Sequence, residues 1–240
     1  MKNEKEKKDK IISKVKGKVL SIPRGEHILY LFKAGLSGLP IGSAISSLLT
    51  DYIPGARFKR VENFARQVAE DLKKFEDQID ENFIKTDEFA YIFEQSIRGV
   101  AQNYQKEKLK AFRAILVNSA IRKDVAQDEK EYFLSLVNNL STLHIQILKF
   151  LAFPKEYIRE QGMEANSIQG GFSQIFSKLM PELDPDVIES AFGDLYQLGF
   201  INTDKTIFHT QTSARGLRLV GDRVTNLGKR FINFCSIHED

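Results

Sequence analysis

The chain has 240 residues, 42% of them hydrophobic, with no Trp, a single Cys and a net charge of +3. That length gives one large domain or two small ones, each with an ordinary apolar core. The lone Cys235 excludes a disulfide within the chain and a thiolate metal cluster, and the charge is not strongly basic.

The charge is unevenly spread. Residues 1–18 hold eight lysines and three acids, a local +5 that leaves −2 for the remainder. Lys7, Lys8, Lys10, Lys14, Lys16 and Lys18 are candidates for binding an anionic surface. Near anionic lipid each would contribute about 1 kcal/mol. A merely solvated tail is the other reading. Ile11, Ile12, Val15, Val19 and Leu20 recur at helical spacing among these lysines, and Pro23 and Gly25 end the segment. No cleavable leader is expected, so a cytoplasmic location follows, peripheral to the inner membrane face if the arm binds lipid.

Residues 34–50 carry no charge. Ala34, Gly38, Gly42 and Ser46 recur every four positions, a stripe of small side chains that lets another helix approach closely. The stretch suits a buried helical hairpin or a segment that enters a membrane. It is shorter than the roughly 20 apolar residues of a spanning helix, and Pro40 interrupts it, which favours burial.

After Pro54-Gly55, residues 57–83 give the clearest periodicity. Phe58, Val61, Ala65, Val68, Leu72, Phe75 and Ile79 alternate spacings of three and four. This predicts one long helix of a bundle. Thr86 is a predicted cap for a helix bearing Phe89, Phe93, Ile97 and Val100. A third helix runs from about 105 to 122 with Leu109, Phe112, Leu116, Ala120 and Ile121 inward. A fourth starts at Asp128 with Tyr132, Phe133, Leu136, Val137 and Leu140. Short loops predict antiparallel neighbours.

Ser141 is a predicted cap for the next helix, with Leu143, Ile147, Leu148 and Leu151. A short helix over 172–180 follows. Asp184 and Pro185 open another, with Val187, Ile188, Ala191, Phe192 and Leu195 as its apolar face, and Gly199 ends it. Residues 200–201 and 217–224 read as strands, and Thr225 caps a last helix. Leu195-Tyr-Gln-Leu-Gly-Phe-Ile201 and Arg223-Val-Thr-Asn-Leu-Gly-Lys-Arg-Phe231 resemble a winged helix-turn-helix domain over about 141–236.

A DNA-reading helix sits among phosphates and normally presents Arg or Lys. Helix 184–198 instead carries Asp184, Asp186, Glu189 and Asp194 and no basic residue. The wing is more basic, with Lys205, Arg215, Arg218 and Arg223, and a wing can hold a nucleic-acid backbone without reading its sequence. Acidity of the helix disfavours a winged-helix transcriptional regulator, the alternative reading.

No catalytic constellation is visible. The four histidines are far apart in sequence, and no phosphate-binding loop or nucleophile elbow is present. The expectation is a protein without catalysis, cofactor or metal, with Cys235 a buried inert thiol.

The Leu39-Pro40-Ile41-Gly42 hairpin ahead of a charged bundle, and residues 136–151 (LVNNLSTLHIQILKFL), resemble bacterial abortive-infection alpha proteins. The resemblance implies a role in defence against phage and transfers no site residue. The combined expectation is mainly α: a basic flexible arm (1–19), a helical bundle (20–140), and a winged-helix-like domain with a small two-stranded wing (141–240). It would work by touching a protein partner or a membrane, and a homo-oligomer is compatible with it.

Overall fold

The computed structural model describes residues 55–164, 168–210, 220 and 223–237. The basic arm, the small-residue stripe and Arg215 and Arg218 of the expected wing lie outside the described residues. The molecule is mainly helical. It divides into two compact units, Met1–Asn138 with Ile237–Asp240, and Asn139–Ser236.

The first unit holds α1 (Gly55–Lys74), a 3-10 turn (Glu76–Gln78), α2 (Glu81–Ile84), α3 (Asp87–Gln102), α4 (Lys106–Ile121) and α5 (Gln127–Asn139). Helices α1, α3 and α4 pack on one another, and α2 packs on α3 and α4. Val61, Ala65, Val68 and Leu72 of the predicted seam are buried. The single helix expected over 57–83 stops at Lys74, so Phe75 and Ile79 fall outside it. Asp80 explains the break. Its N–H donates to the Ala120 carbonyl at 2.9 Å, and its carboxylate accepts from the N–H groups of Asn82 and Phe83 at 3.1 Å each. A new helix starts there, and the Phe83 bond holds the Asp80 carboxyl below its usual range.

Thr86 caps α3 as predicted, accepting from Phe89 N–H at 3.3 Å. Helix α4 is the centre of the unit. Residues 111–120 are buried apart from half-buried Arg113, which pairs with the buried Asp71 of α1 at 2.8 Å. On α5, Tyr132 is 45% exposed while Phe133, Leu136 and Val137 are buried.

Cationic side chains close three helix ends in this unit. Arg60 of α1 donates to the Val100, Ala101 and Asn103 carbonyls at the end of α3, the last at 2.8 Å. Lys108 of α4 donates to the Asn138 carbonyl of α5 at 3.0 Å. Lys130 of α5 donates to the Ser119 carbonyl of α4 at 3.2 Å and lies 4.1 Å from the centre of the Phe83 ring. The last carbonyls of a helix lack intrahelical donors and carry the negative end of its dipole, so a cation there satisfies both needs. Charged side chains on a helix ordinarily lie on a solvated face. Yet Lys108 is 7% and Lys130 4% exposed.

Burial pushes both ammonium groups below the ordinary lysine range. Native Lys130 therefore binds fewer protons than the unfolded chain at alkaline pH. Its contribution to stability rises as pH climbs through the native pKa towards the ordinary 10.5, and is lowest below that window. Lys130→Met should cost about 1–3 kcal/mol near neutrality, because the Ser119 carbonyl loses its donor. Urea unfolding of wild type and variant at about pH 8 and about pH 10 should show the gap widening. A gap that narrows would contradict this role.

The second unit holds α6 (Thr142–Ala152), α7 (Pro154–Glu160), α8 (Phe172–Leu179), α9 (Pro185–Gln197), a 3-10 segment (Lys205–His209) and α10 (Asn226–Phe234). Helix α6 packs on α7, α9 and α10, while α8 packs on α9 and the 3-10 segment. Phe172, Phe176, Phe192 and Phe208 form one aromatic core, with centroids 5.2–6.2 Å apart and mostly edge-to-face. Asp184 caps α9 by accepting from Asp186 N–H at 2.8 Å, Pro185 is its first residue, and Gly199 follows at φ 73°. Val187, expected inward, is 51% exposed.

The expected two-stranded wing does not appear among the described residues. One antiparallel bridge, Ile201 to Val224, stands in its place. Pairing ends there because Thr225 turns the chain straight into α10. Its N–H closes the bridge by donating to the Phe200 carbonyl at 2.9 Å, and its hydroxyl accepts from Gly228 N–H at 3.1 Å, which starts α10. On the other side Asp204 caps the 3-10 segment, accepting from Thr206 N–H at 2.9 Å, and Phe208 is drawn into the aromatic core. Burial of that ring, and not strand pairing, sets the path of residues 205–209.

Candidate functional site

Helix α9 gathers the features of interest. Its acids divide into two groups by what they touch. Asp184, Glu189 and Asp194 are engaged within the unit. Glu189 Oε2 lies 2.9 Å from His209 Nε2, and Asp194 Oδ2 lies 3.1 Å from His144 Nε2. The two pairs tie α9 to the 3-10 segment and to the start of α6. Glu182 and Asp186 are exposed. They fall within residues 181–187 (Pro-Glu-Leu-Asp-Pro-Asp-Val), a run exposed throughout, in which acids alternate with apolar residues. Leu183 is 38% and Val187 51% exposed.

His144 also touches Ser141. The Ser141 hydroxyl lies 2.7 Å from His144 Nδ1, and the Ser141 N–H donates to the same nitrogen at 3.2 Å. The hydrogen-bond network thus assigns the ring proton to Nε2, which donates to Asp194. Ser, His and Asp in this order have the connectivity of a nucleophile–base relay. Here the hydroxyl and the ring together cap α6. The Asp194 side chain is 62% exposed, where water weakens such a pair. Its physical work is to fix the start of α6 against α9.

The two described wing residues part company. Lys205 is exposed, with its stem against Gly193 of α9. Arg223 is half-buried, donates to the Thr203 hydroxyl at 3.0 Å and lies 5.9 Å from the centre of the Phe172 ring. Its guanidinium is held by the fold. Ala34, Gly38, Gly42 and Ser46 and the six lysines of the arm lie outside the described residues. Cys235 is buried, and burial pushes its thiol well above the ordinary range.

Sequence reasoning missed both histidine–carboxylate pairs and the cationic helix caps. The spacing Ser141-x-x-His144 was a legible signal, being that of a capping box. The pairing of residues 144 and 194 has no local signature.

Among the described residues no helix is long and apolar enough to cross a membrane. No curated protein and no solved structure matches the chain. The family model described as "Abortive infection alpha" matches residues 57–235. The match spans helices of both units and contains residues 136–151, whereas Leu39-Pro40-Ile41-Gly42 lies outside it. By that match, over most of its length, the chain belongs to the abortive infection alpha family.

Proposed function

We propose that the protein serves phage defence by contact, without catalysis, and that residues 181–187 form the face offered to a protein partner. Family membership supports the defence role. The contact face rests on one observation: an acidic and apolar run, wholly exposed, at the head of a helix whose other acids are tied into the unit. Exposed apolar side chains rimmed by charge are what a contact surface presents. Phosphates would repel α9, and Arg223 is engaged with Thr203 and Phe172, so DNA is the poorer occupant. In this reading the arm and the small-residue stripe supply further contacts, with a membrane or with protein.

The test is phage challenge of host cells carrying wild type or Glu182→Lys/Asp186→Lys. Plaquing should be suppressed by wild type, and restored by at least tenfold with the variant at equal protein level. Full protection by the variant would remove residues 181–187 from the function.

A further inference from the structure

We propose that Ser141 is a nucleophilic serine, a site that takes up an acyl group from an activated carboxylic ester, with His144 as its base and Asp194 as a positioning residue. The inference goes beyond the contact reading and does not depend on residues 181–187.

The side chains meet where α6 starts against α9. Ser141 stands exposed at the head of α6. Its Oγ lies 2.7 Å from His144 Nδ1, and His144 Nε2 lies 3.1 Å from Asp194 Oδ2, 50 residues further along the chain. With the ring proton on Nε2, the lone pair of Nδ1 faces the serine hydroxyl. That is the protonation a general base needs. The His144 side chain is only 14% exposed, so the ring is held while the hydroxyl beside it is open to reagents. A capping box needs no more than a hydrogen-bonding side chain at residue 144, which Glu or Gln supplies in its common form. The bond to Asp194 is additional to the cap and extends it into a relay between α6 and α9.

The surroundings suit the charge that develops on attack. The Thr142 and Leu143 N–H groups open α6 and have no carbonyl four residues back within the helix. In hydrolases whose nucleophile sits at a helix start, the N–H of the next residue donates to the oxyanion. The positive end of the helix dipole favours the same charge. Thr142 Oγ1 is buried and has no hydrogen-bond partner among the described residues. The residue next to the nucleophile thus holds unmet hydrogen-bonding capacity.

In the step, Ser141 Oγ attacks the ester carbonyl carbon as its proton passes to His144 Nδ1. The bond from Oγ to that carbon forms, the bond to the leaving alkoxide breaks, and the proton departs with the alcohol. Ser141 is left as an ester, and one acyl group is taken up per chain.

The full chain is treated with p-nitrophenyl acetate and, separately, with an alkyl fluorophosphonate, which forms an Oγ–P bond with loss of fluoride. Peptide mass mapping should place both labels on Ser141. The native chain should label there about a hundredfold faster than the same chain in urea, the low end of what a positioned base contributes. Ser141→Asp keeps a cap and should remove the label. His144→Gln keeps the capping box, so melting should stay close to wild type while the rate enhancement is lost. Rates are compared at a temperature where circular dichroism shows every chain folded. Asp194→Asn should slow labelling by about threefold, a smaller loss because its side chain is 62% exposed. No label on Ser141, a native rate equal to that in urea, or an unchanged rate in His144→Gln would each overturn the proposal. The phage assay on Glu182 and Asp186 is independent of these outcomes, so the two readings fail separately.

Discussion

Gly228→Ala will strongly destabilise the C-terminal unit. The substitution lies within helix α10, where alanine is ordinarily preferred over glycine by about 1 kcal/mol. Local propensity alone therefore predicts a gain. The surroundings predict the reverse. A Cβ at 228 would sit inside contact distance of the Phe200 carbonyl oxygen, and 2.8 Å from Val224 Cγ1. That carbonyl cannot swing away freely, because it accepts from Thr225 N–H at 2.9 Å and from the Thr225 hydroxyl at 3.2 Å. The Phe200 ring is fixed too, stacked on Phe231 of the same helix at 4.8 Å and 6°. Overpacking against backbone reaches the upper end of the usual range, about 3 kcal/mol. For a unit of this size that is a fall in melting temperature on the order of 10–20 °C. Thermal unfolding decides between the two signs. A variant as stable as wild type would mean that α10 and the Phe200 backbone are not in close contact.

The legible parts of this fold are those set by residues within about four positions of one another. Thr86, Ser141, Asp184 and Thr225 were each predicted as caps, and each accepts from a backbone N–H two or three residues on. A cap is decided locally, so it survives whatever surrounds it. The illegible parts are set by distant partners. Helix α1 continues in heptad pattern to Ile79, yet the chain breaks first, because Asp80 finds the Ala120 carbonyl forty residues away. Lys130 looks like a solvated charge until the end of α4 arrives beside it. Val187 shares the apolar character of Ile188 and Ala191, but the helices packed on α9 leave it uncovered. The candidate site followed the same rule. Acidity of α9 was readable from composition. Which of its carboxylates are engaged depended on where His144 and His209 came to rest.

Phe176→Ala should be the most damaging substitution of a side chain in the same unit. The residue is 1% exposed. Its ring centre lies 5.5 Å from that of Phe150, 5.9 Å from Phe172, 6.2 Å from Phe192 and 5.4 Å from Phe208. It thus joins α6, α8, α9 and the 3-10 segment at one point. Truncating a buried Phe costs about 3–5 kcal/mol through lost transfer energy and the cavity left behind. Each aromatic pair adds about 0.5–1.5 kcal/mol beyond area alone. Against a total stability of about 5–15 kcal/mol, the upper part of that range leaves little folded protein. Phe176→Leu keeps most of the volume and should lose far less. A cost below about 1 kcal/mol for the alanine variant in urea unfolding would show that this cluster is not the core. The comparison also bears on function, since Phe192 seats α9 on the cluster. Phe176→Ala should abolish phage protection together with melting temperature. Glu182→Lys/Asp186→Lys should abolish protection while melting stays close to wild type. Loss of both properties together in every variant would mean that α9 matters for folding alone, and that residues 181–187 are not a contact face.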